Sequence, residues 1–367
     1  MRARALVIAA VALTAVLVVA ALAAGAAPAL ATRATAPAAE ISVSTPPQAD
    51  APAGAQAPDA AVTAPVAIQT VEPKAAPASA ALDMRHLWQS LNNCGPASVV
   101  MALSTFGITA DQETARLALR GPDVRRGMGP QGVDPWVKEL YGLRSMWRNN
   151  GTNGLLKQLV ANGFAPLVTQ WMQDPSVSRI AHWRAIRGYD DALGTFYVND
   201  PMLGNFVPLS YRWIQDNWQP FSYRYMVIYR PEDEALLKAI VGPEWSESRN
   251  REAFYQRTKA EALAQDTAAA WLTYGEASYQ SGRFDEALAA FDKGLAMGNA
   301  QGVFTLRSSY PQTLRALGKQ READAAQAKL SNLSAVPSST VASPPDSFAV
   351  WMAFRRTLAF DTDLPSE

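Results

Sequence analysis

At 367 residues the chain is long enough for two domains of roughly 100–200 residues each. Its 33 Lys and Arg balance 33 Asp and Glu, which argues against a nucleic-acid-binding surface and removes any broad pull toward anionic membranes. A single cysteine (Cys94) and two histidines (His86 and His182) exclude an intrachain disulfide framework and argue against a cysteine-cluster or polyhistidine metal centre. In chain order, Arg2 and Arg4 precede an uncharged run, Ala5 to Ala31, that closes on the small-x-small pattern Ala29-Leu30-Ala31. The segment 1–31 is therefore a signal peptide cleaved near Thr32, or an uncleaved membrane anchor. Its length exceeds the roughly 20 apolar residues that span a bilayer, while its many alanines are barely hydrophobic enough to remain there. Either reading sends the rest of the chain out of the cytoplasm, secreted or held at the membrane by this segment alone. Residues 32–80 are mostly alanine and proline, and all 33 aromatic residues lie at or after Trp88. A stretch without aromatics cannot offset the entropy of ordering, so 32–80 is expected to be a disordered spacer.

Residues 81–231 read as the first folded domain. Val99, Val100, Leu103 and Phe106 share one face of a helix that Gly107 ends, and Pro96 belongs in its first turn, where a missing N–H costs nothing. Cys94 thereby heads a helix, where free N–H groups and the macrodipole lower a thiol pKa. A lone helical cysteine is most often a small core residue. Here it follows Asn92 and Asn93 and precedes Gly95-Pro96, a poor context for a core position. A helix from Thr152 to Asn162 and a strand from Phe164 to Trp171 follow. Ala181–Tyr189 and Thr195–Pro201 then flank Asp190-Asp191-Ala192-Leu193-Gly194, the pattern of an antiparallel hairpin. Folding it about the turn brings His182 to within about one pair of Asp200, on one face if no bulge intervenes. A carboxylate there fixes the imidazole tautomer, which completes the logic of cysteine-based acyl transfer. His86 reads as surface or linker, Asp190 and Asp191 as turn formers, and Trp183 and Tyr197 as packing residues.

Gln-x4-Cys-Gly-Pro-Ala-Ser, His-Trp-Arg-Ala-Ile-Arg-Gly-Tyr-Asp-Asp and Tyr-Val-Asn-Asp-Pro together resemble the papain-like superfamily. More narrowly, they resemble the secreted relatives of the bacteriocin-processing (double-glycine) cysteine peptidases. The resemblance covers about residues 84–231. It implies an α+β papain-like fold, in which a helix carrying the cysteine packs on an antiparallel sheet carrying the histidine and acid. It makes Cys94 the nucleophile, His182 the base, Asp200 the orienting acid and Gln89 the oxyanion donor, with Asn199 a second candidate orienter. Gln89 stands five residues before Cys94, where the family's glutamine usually stands six before. No metal or organic cofactor is needed for this chemistry.

Pro231 opens an alanine-rich region, 232–335, without strand-like alternation. Within it, Trp271-x2-Tyr274-Gly275-x6-Gly282-x-Phe284-x2-Ala287-x3-Phe291 resembles a tetratricopeptide unit, with Trp271, Phe284 and Phe291 filling the space between paired helices. A degenerate copy runs through Leu317 to Ala323, and a third fragment lies around Glu252 to Ala264. Such units must stack on one another or on the first domain. The tail, 336–367, is Ser/Pro-rich with a short aromatic patch. The whole reads as an exported cysteine peptidase acting on a peptide or protein, with a protein partner accessible through the helical repeats. The alternatives are a non-catalytic papain-like scaffold that uses the repeats for binding, and a cell-wall peptide amidase.

Overall fold

The computed structural model describes residues 71–123, 126–172, 181–298 and 306–332. The expected signal or anchor segment, most of the spacer and the C-terminal tail lie outside the described residues. Seven strands form one antiparallel sheet: β1 (Ser79–Ala81), β2 (Arg144–Arg148), β3 (Leu167–Trp171), β4 (Ala181–Asp190), β5 (Thr195–Asp200), β6 (Gly204–Ser210) and β7 (Tyr225–Tyr229). Their order is β2-β7-β3-β4-β5-β6, and β1 pairs with Gly188–Asp190 of β4 beyond the point where β3 stops. Both faces of the central strands are buried, so β7 reads Tyr-Met-Val-Ile-Tyr without polar alternation.

The two faces carry different layers. On one, Leu167, Ala185, Met226 and Ile228 meet α1 (Cys94–Leu103), α2 (Gln112–Leu119) and α3 (Val133–Tyr141). On the other, Val168, Ile186, Phe196, Tyr225 and Val227 meet α4 (Asn153–Ala161), α5 (Tyr211–Trp218) and α6 (Glu234–Val241). Local chemistry starts these helices where the chain needs them. Thr152 accepts from the Leu155 N–H at 3.0 Å to cap α4, and Ser210 accepts from the Trp213 N–H at 3.1 Å to cap α5.

The second core does not end at residue 231. Phe254, Tyr255 and Ala262 of α7 (Glu247–Gln265), with Ala270, Tyr274 and Ala277 of α8 (Ala268–Gln280), belong to the same apolar cluster as the sheet. A polar seam joins the same elements: Arg257 donates to the Gly151 carbonyl at 2.9 Å, Asn250 to that of Asn149 at 2.9 Å, and Tyr223 to Glu261 at 2.8 Å. The helical region is thus built onto the sheet. Beyond α8, α9 (Phe284–Ala296), α10 (Leu306–Ala316) and α11 (Gln320–Asn332) continue as helical hairpins around Leu272, Ala287, Phe291, Leu306 and Leu330. Of the three aromatics expected to fill the repeat, only Phe291 is fully buried. Trp271 is half-buried because its indole N–H is drawn out to Asp266 at 2.7 Å, while Phe284 also keeps a solvent-facing edge. At Gly275 a Cβ would stand 2.5 Å from the Phe291 ring. Glycine is what lets α8 and α9 approach.

The expectation of a disordered spacer as far as residue 80 fails at its C-terminal end. Lys74 donates its main-chain N–H to Asn162 at 2.8 Å, the Tyr189 hydroxyl donates to the Pro77 carbonyl at 2.8 Å, and Ser79–Ala81 are a strand. Main-chain pairing with a sheet edge needs no aromatic side chain, so composition did not register it. A chain beginning at Val71 is expected to melt with the full chain. One beginning at Asp83 should melt lower by at least about 2–4 °C, the shift that roughly 1 kcal/mol produces at this size. Near-ultraviolet dichroism on heating checks both. By the same measurement, Gly275→Ala should cost about 1–3 kcal/mol through overpacking against Phe291.

Candidate active site

Cys94 is the first residue of α1, so its main-chain N–H is among those that have no partner within the helix. Two features shape the turn before it. Gln112 of α2 accepts from the Ser90 N–H at 2.7 Å and the Asn93 amide at 2.6 Å, and donates to the Trp88 carbonyl at 2.9 Å. Asn92 takes the left-handed conformation at φ 52°, which asparagine tolerates. Gly95 is needed behind the thiol: a Cβ there would lie 2.7 Å from Cβ of Met128. The Cys94 side chain is half-buried.

His182 is the second residue of β4 and lies next to the end of the sheet where β5 stops pairing. Its Nε2 donates to Oδ1 of Asp200 at 2.9 Å, and the imidazole is near enough to Cys94 for each to shift the other's titration. With Nε2 committed to the carboxylate, Nδ1 is the nitrogen left to exchange a proton with the sulfur. The Trp183 main-chain N–H also favours the thiolate. Cys94, His182 and Asp200 therefore stand together, with the imidazole hydrogen-bonded to the carboxylate and coupled to the thiol, and the imidazole and carboxylate are 1% and 0% exposed.

The alignment depends on a bulge that pattern reading did not foresee. At the turn, Asp190 pairs with Thr195 and Gly188 with Tyr197; continued unbroken, that register would set Asp200 opposite Ala185 and on the other face from His182. A one-residue shift between Ile186 and Gly188 places Ala185 opposite Asn199 instead. Arg187 is the extra residue. Asp200 then falls level with Arg184, and His182 is its diagonal neighbour on the same face. The absence of a bulge was the condition for the hairpin expectation, and the presence of one is what satisfies it.

Burial tends to raise the Cys94 thiol, but the hydrogen bond and charge of His182, with the Trp183 N–H, outweigh it and bring the thiol below its ordinary value. Burial tends to lower His182; the Asp200 carboxylate and the Cys94 sulfur reverse that and push it up to about 9. Asp200 is held well below the usual carboxylate range: burial opposes this, but the charges of His182 and Arg184 and the hydrogen bonds from His182 and the Met202 N–H prevail. The pair is thereby biased toward thiolate and imidazolium.

The other expected site residues are placed as follows. Gln89 donates its main-chain N–H to the Pro201 carbonyl at 2.9 Å, which ties it to the turn after Asp200, and its side-chain oxygen is buried without a hydrogen-bond donor. Asn199 faces away from the imidazole: its amide donates to the Met84 carbonyl at 3.3 Å and its oxygen accepts from the Phe206 N–H at 3.3 Å. His86 is not a linker residue. Its Nε2 donates to the Asp200 carbonyl at 2.9 Å, and its ring stands edge-on to Trp88. Asp190 is a turn former, accepting from the Ala192 and Leu193 N–H groups, whereas Asp191 also binds Lys157 of α4 at 2.8 Å and the Tyr211 hydroxyl at 2.7 Å. Three supporting residues were missed: Gln112, Gln170 and Arg184. The signal for Arg184 was available, since a charged residue two positions from His182 shares its strand face.

Residues 81–226 match the model of the Peptidase_C39 like family, and the domain they form is a papain-like cysteine peptidase domain of that relation. Among solved structures, the chain is similar to a protein described as a C39-like peptidase from Bacillus anthracis, at 13% identity over 41% of this chain and 98% of that one, with a TM-score of 0.36. It is also similar to a double-glycine-motif protease from an AMS/PCAT transporter in complex with the leader peptide (18% identity, 41% and 94% covered, TM-score 0.33). A third is the peptidase domain of Streptococcus ComA, a bi-functional ABC transporter (16% identity, 40% and 98% covered, TM-score 0.32). No curated protein matches.

The thiolate–imidazolium form is expected to dominate between the lowered Cys94 value and about pH 9, where the imidazolium loses its proton. Iodoacetamide alkylation of Cys94 should therefore show a midpoint well below the roughly 8.5 of a free thiol. A midpoint at the free-thiol value would dissolve the pair.

Proposed function

We propose that the protein is an exported cysteine peptidase that hydrolyses a peptide or amide bond through Cys94, His182 and Asp200. The observation that carries this reading is the single line of contacts from the thiol through the imidazole to a buried carboxylate. The Cys94 thiolate attacks the scissile carbonyl carbon. The oxyanion that develops is met by the Cys94 N–H at the start of α1 and by the Gln89 amide. His182 passes its Nδ1 proton to the leaving amine, which departs and leaves a thioester on Cys94. Water, deprotonated by His182, then attacks the thioester, and the carboxylic acid leaves as the thiolate–imidazolium pair re-forms. Asp200 keeps the ring in the tautomer that presents Nδ1 to sulfur and remains ionised throughout. No step calls on a metal or organic group.

Export is supported by Arg2 and Arg4 ahead of the uncharged run and by the small-x-small site at Ala29–Ala31. The helical hairpins from α8 onward are the surface we assign to a protein partner, by their likeness to tetratricopeptide units. Because α7 and α8 share the sheet's core, a partner held there sits at a fixed orientation to the site.

Cys94→Ala should abolish turnover of a quenched-fluorescence peptide library, and Asp200→Asn should lower it by on the order of a thousandfold. Asp190→Asn should stay within about twofold, since that carboxylate only turns the hairpin. A Cys94→Ala chain that retains cleavage would overturn the role given to Cys94, and a parent chain that cleaves nothing would favour the binding scaffold.

A further inference from the structure

We propose that Arg184 is a positioning residue of the peptidase reaction: it clamps the Asp200 carboxylate so that Oδ1 stays aimed at His182, and its charge moderates how tightly the imidazolium is held. The proposal rests on the Cys94–His182–Asp200 reading above.

Arg184 is 0% exposed, one of the largest wholly buried side chains in the protein. Placing a guanidinium there is costly, and a methionine or leucine would fill the volume without that cost. Its contacts say what it does. Nε donates to Oδ2 of Asp200 at 2.6 Å, Nη1 donates to Oε1 of Gln170 at 3.3 Å, and the guanidinium lies 5.2 Å from the Trp213 ring centre. Gln170 is itself fixed, its amide donating to the Ile214 carbonyl at 3.1 Å. The remaining nitrogen, Nη2, is buried with no hydrogen-bond partner. A purely structural knot would satisfy every donor; this one spends its best geometry on a single carboxylate oxygen.

The division of that carboxylate is informative. Oδ1 accepts from His182, from the Met202 N–H at 2.8 Å and from the Leu203 N–H at 2.9 Å. Oδ2 accepts from Arg184 alone among the described residues. Without that anchor Oδ2 loses its partner, and only the contacts to Oδ1 are left to hold the carboxylate against rotation and to keep a fixed acceptor for the imidazole. The charge has a sign as well. The titratable and charged groups around His182 are Cys94 from α1, Asp200 from β5 and Arg184 on its own strand, with His86 reaching the Asp200 main-chain oxygen. A cation on the far side of Asp200 competes with the imidazolium for the same negative charge. Arg184 therefore keeps Asp200 ionised while leaving His182 able to release its proton to a leaving amine.

The test measures, on the full-length protein, the pH dependence of Cys94 alkylation and of kcat and KM for Arg184→Met, Arg184→Lys and Asp200→Asn. In Arg184→Met both limbs should move up by at least roughly half a pH unit, because loss of a nearby cation makes the Cys94 thiolate harder to form and the imidazolium harder to deprotonate while Asp200 stays ionised. Its kcat should fall by roughly tenfold or more, with KM within about twofold. Arg184→Lys keeps the charge but not the planar fork, so its limbs should stay within roughly 0.3 unit of the parent while kcat still falls at least about fivefold. A folded Arg184→Met with unmoved limbs and parental kcat overturns the proposal. Should Arg184→Met fail to fold, Arg184→Lys decides: parental kcat overturns it, and reduced kcat with unmoved limbs supports it. Asp200→Asn separates the two levels. An unshifted alkylation profile there brings down the Cys94–His182–Asp200 reading itself; a shifted one, with both arginine variants like the parent, removes only Arg184.

Discussion

The buried carboxylate of Asp200 is the constraint around which the peptidase domain is arranged. An ionised carboxylate in a dry interior is tolerable only when its charge and lone pairs are answered. Here the side chain is answered by His182, Arg184 and two amides of the following turn, and the main-chain oxygen by His86. Each of these ties a different piece of chain to one point: the start of β4, the turn into β6, and the segment that leads to Cys94. Gln89, bound to the Pro201 carbonyl, extends the same attachment by one residue. The groups that would perform the chemistry thus hold together the loops that carry them.

That arrangement explains why the electrostatics favour a charged pair at the site. Burial alone would neutralise every member, raising the thiol and the carboxylate and lowering the imidazole. Alternating signs along the line from Cys94 through His182 and Asp200 to Arg184 reverse the outcome at each position. The cysteine is the one member that keeps access to solvent, which is what a nucleophile requires. The three partners behind it are sealed, so the field they set up at the sulfur is little weakened by water.

The helical region changes what kind of molecule this is. Strands buried on both faces demand two covering layers, and α4 to α6 do not complete the second alone. Phe254, Tyr255, Ala270 and Tyr274 finish it from α7 and α8. The boundary near residue 231 is therefore a change of secondary structure inside a shared core. From α9 onward the helices bury mainly one another, around Phe291 and Leu330.

Much of the site was legible in the chain itself. A cysteine set between Asn-Asn and Gly-Pro announces a helix start, because proline fits the first turn and little else in a helix. Two short strands joined by a turn of aspartates and a glycine announce a hairpin, and so bring His182 and Asp200 near each other. What local pattern could not reveal was parity. Whether two residues on paired strands share a face depends on a single inserted residue, and Arg187 has no side-chain property that marks it as a bulge. Nor could composition show that Ser79–Ala81 pair with β4, since main-chain hydrogen bonds carry no residue code. The residue types and their order determined the chemistry available to this protein. Only the tertiary structure decided that Arg184 rather than water faces the far oxygen of Asp200, because that contact is set by the register of two strands and the helix packed over them.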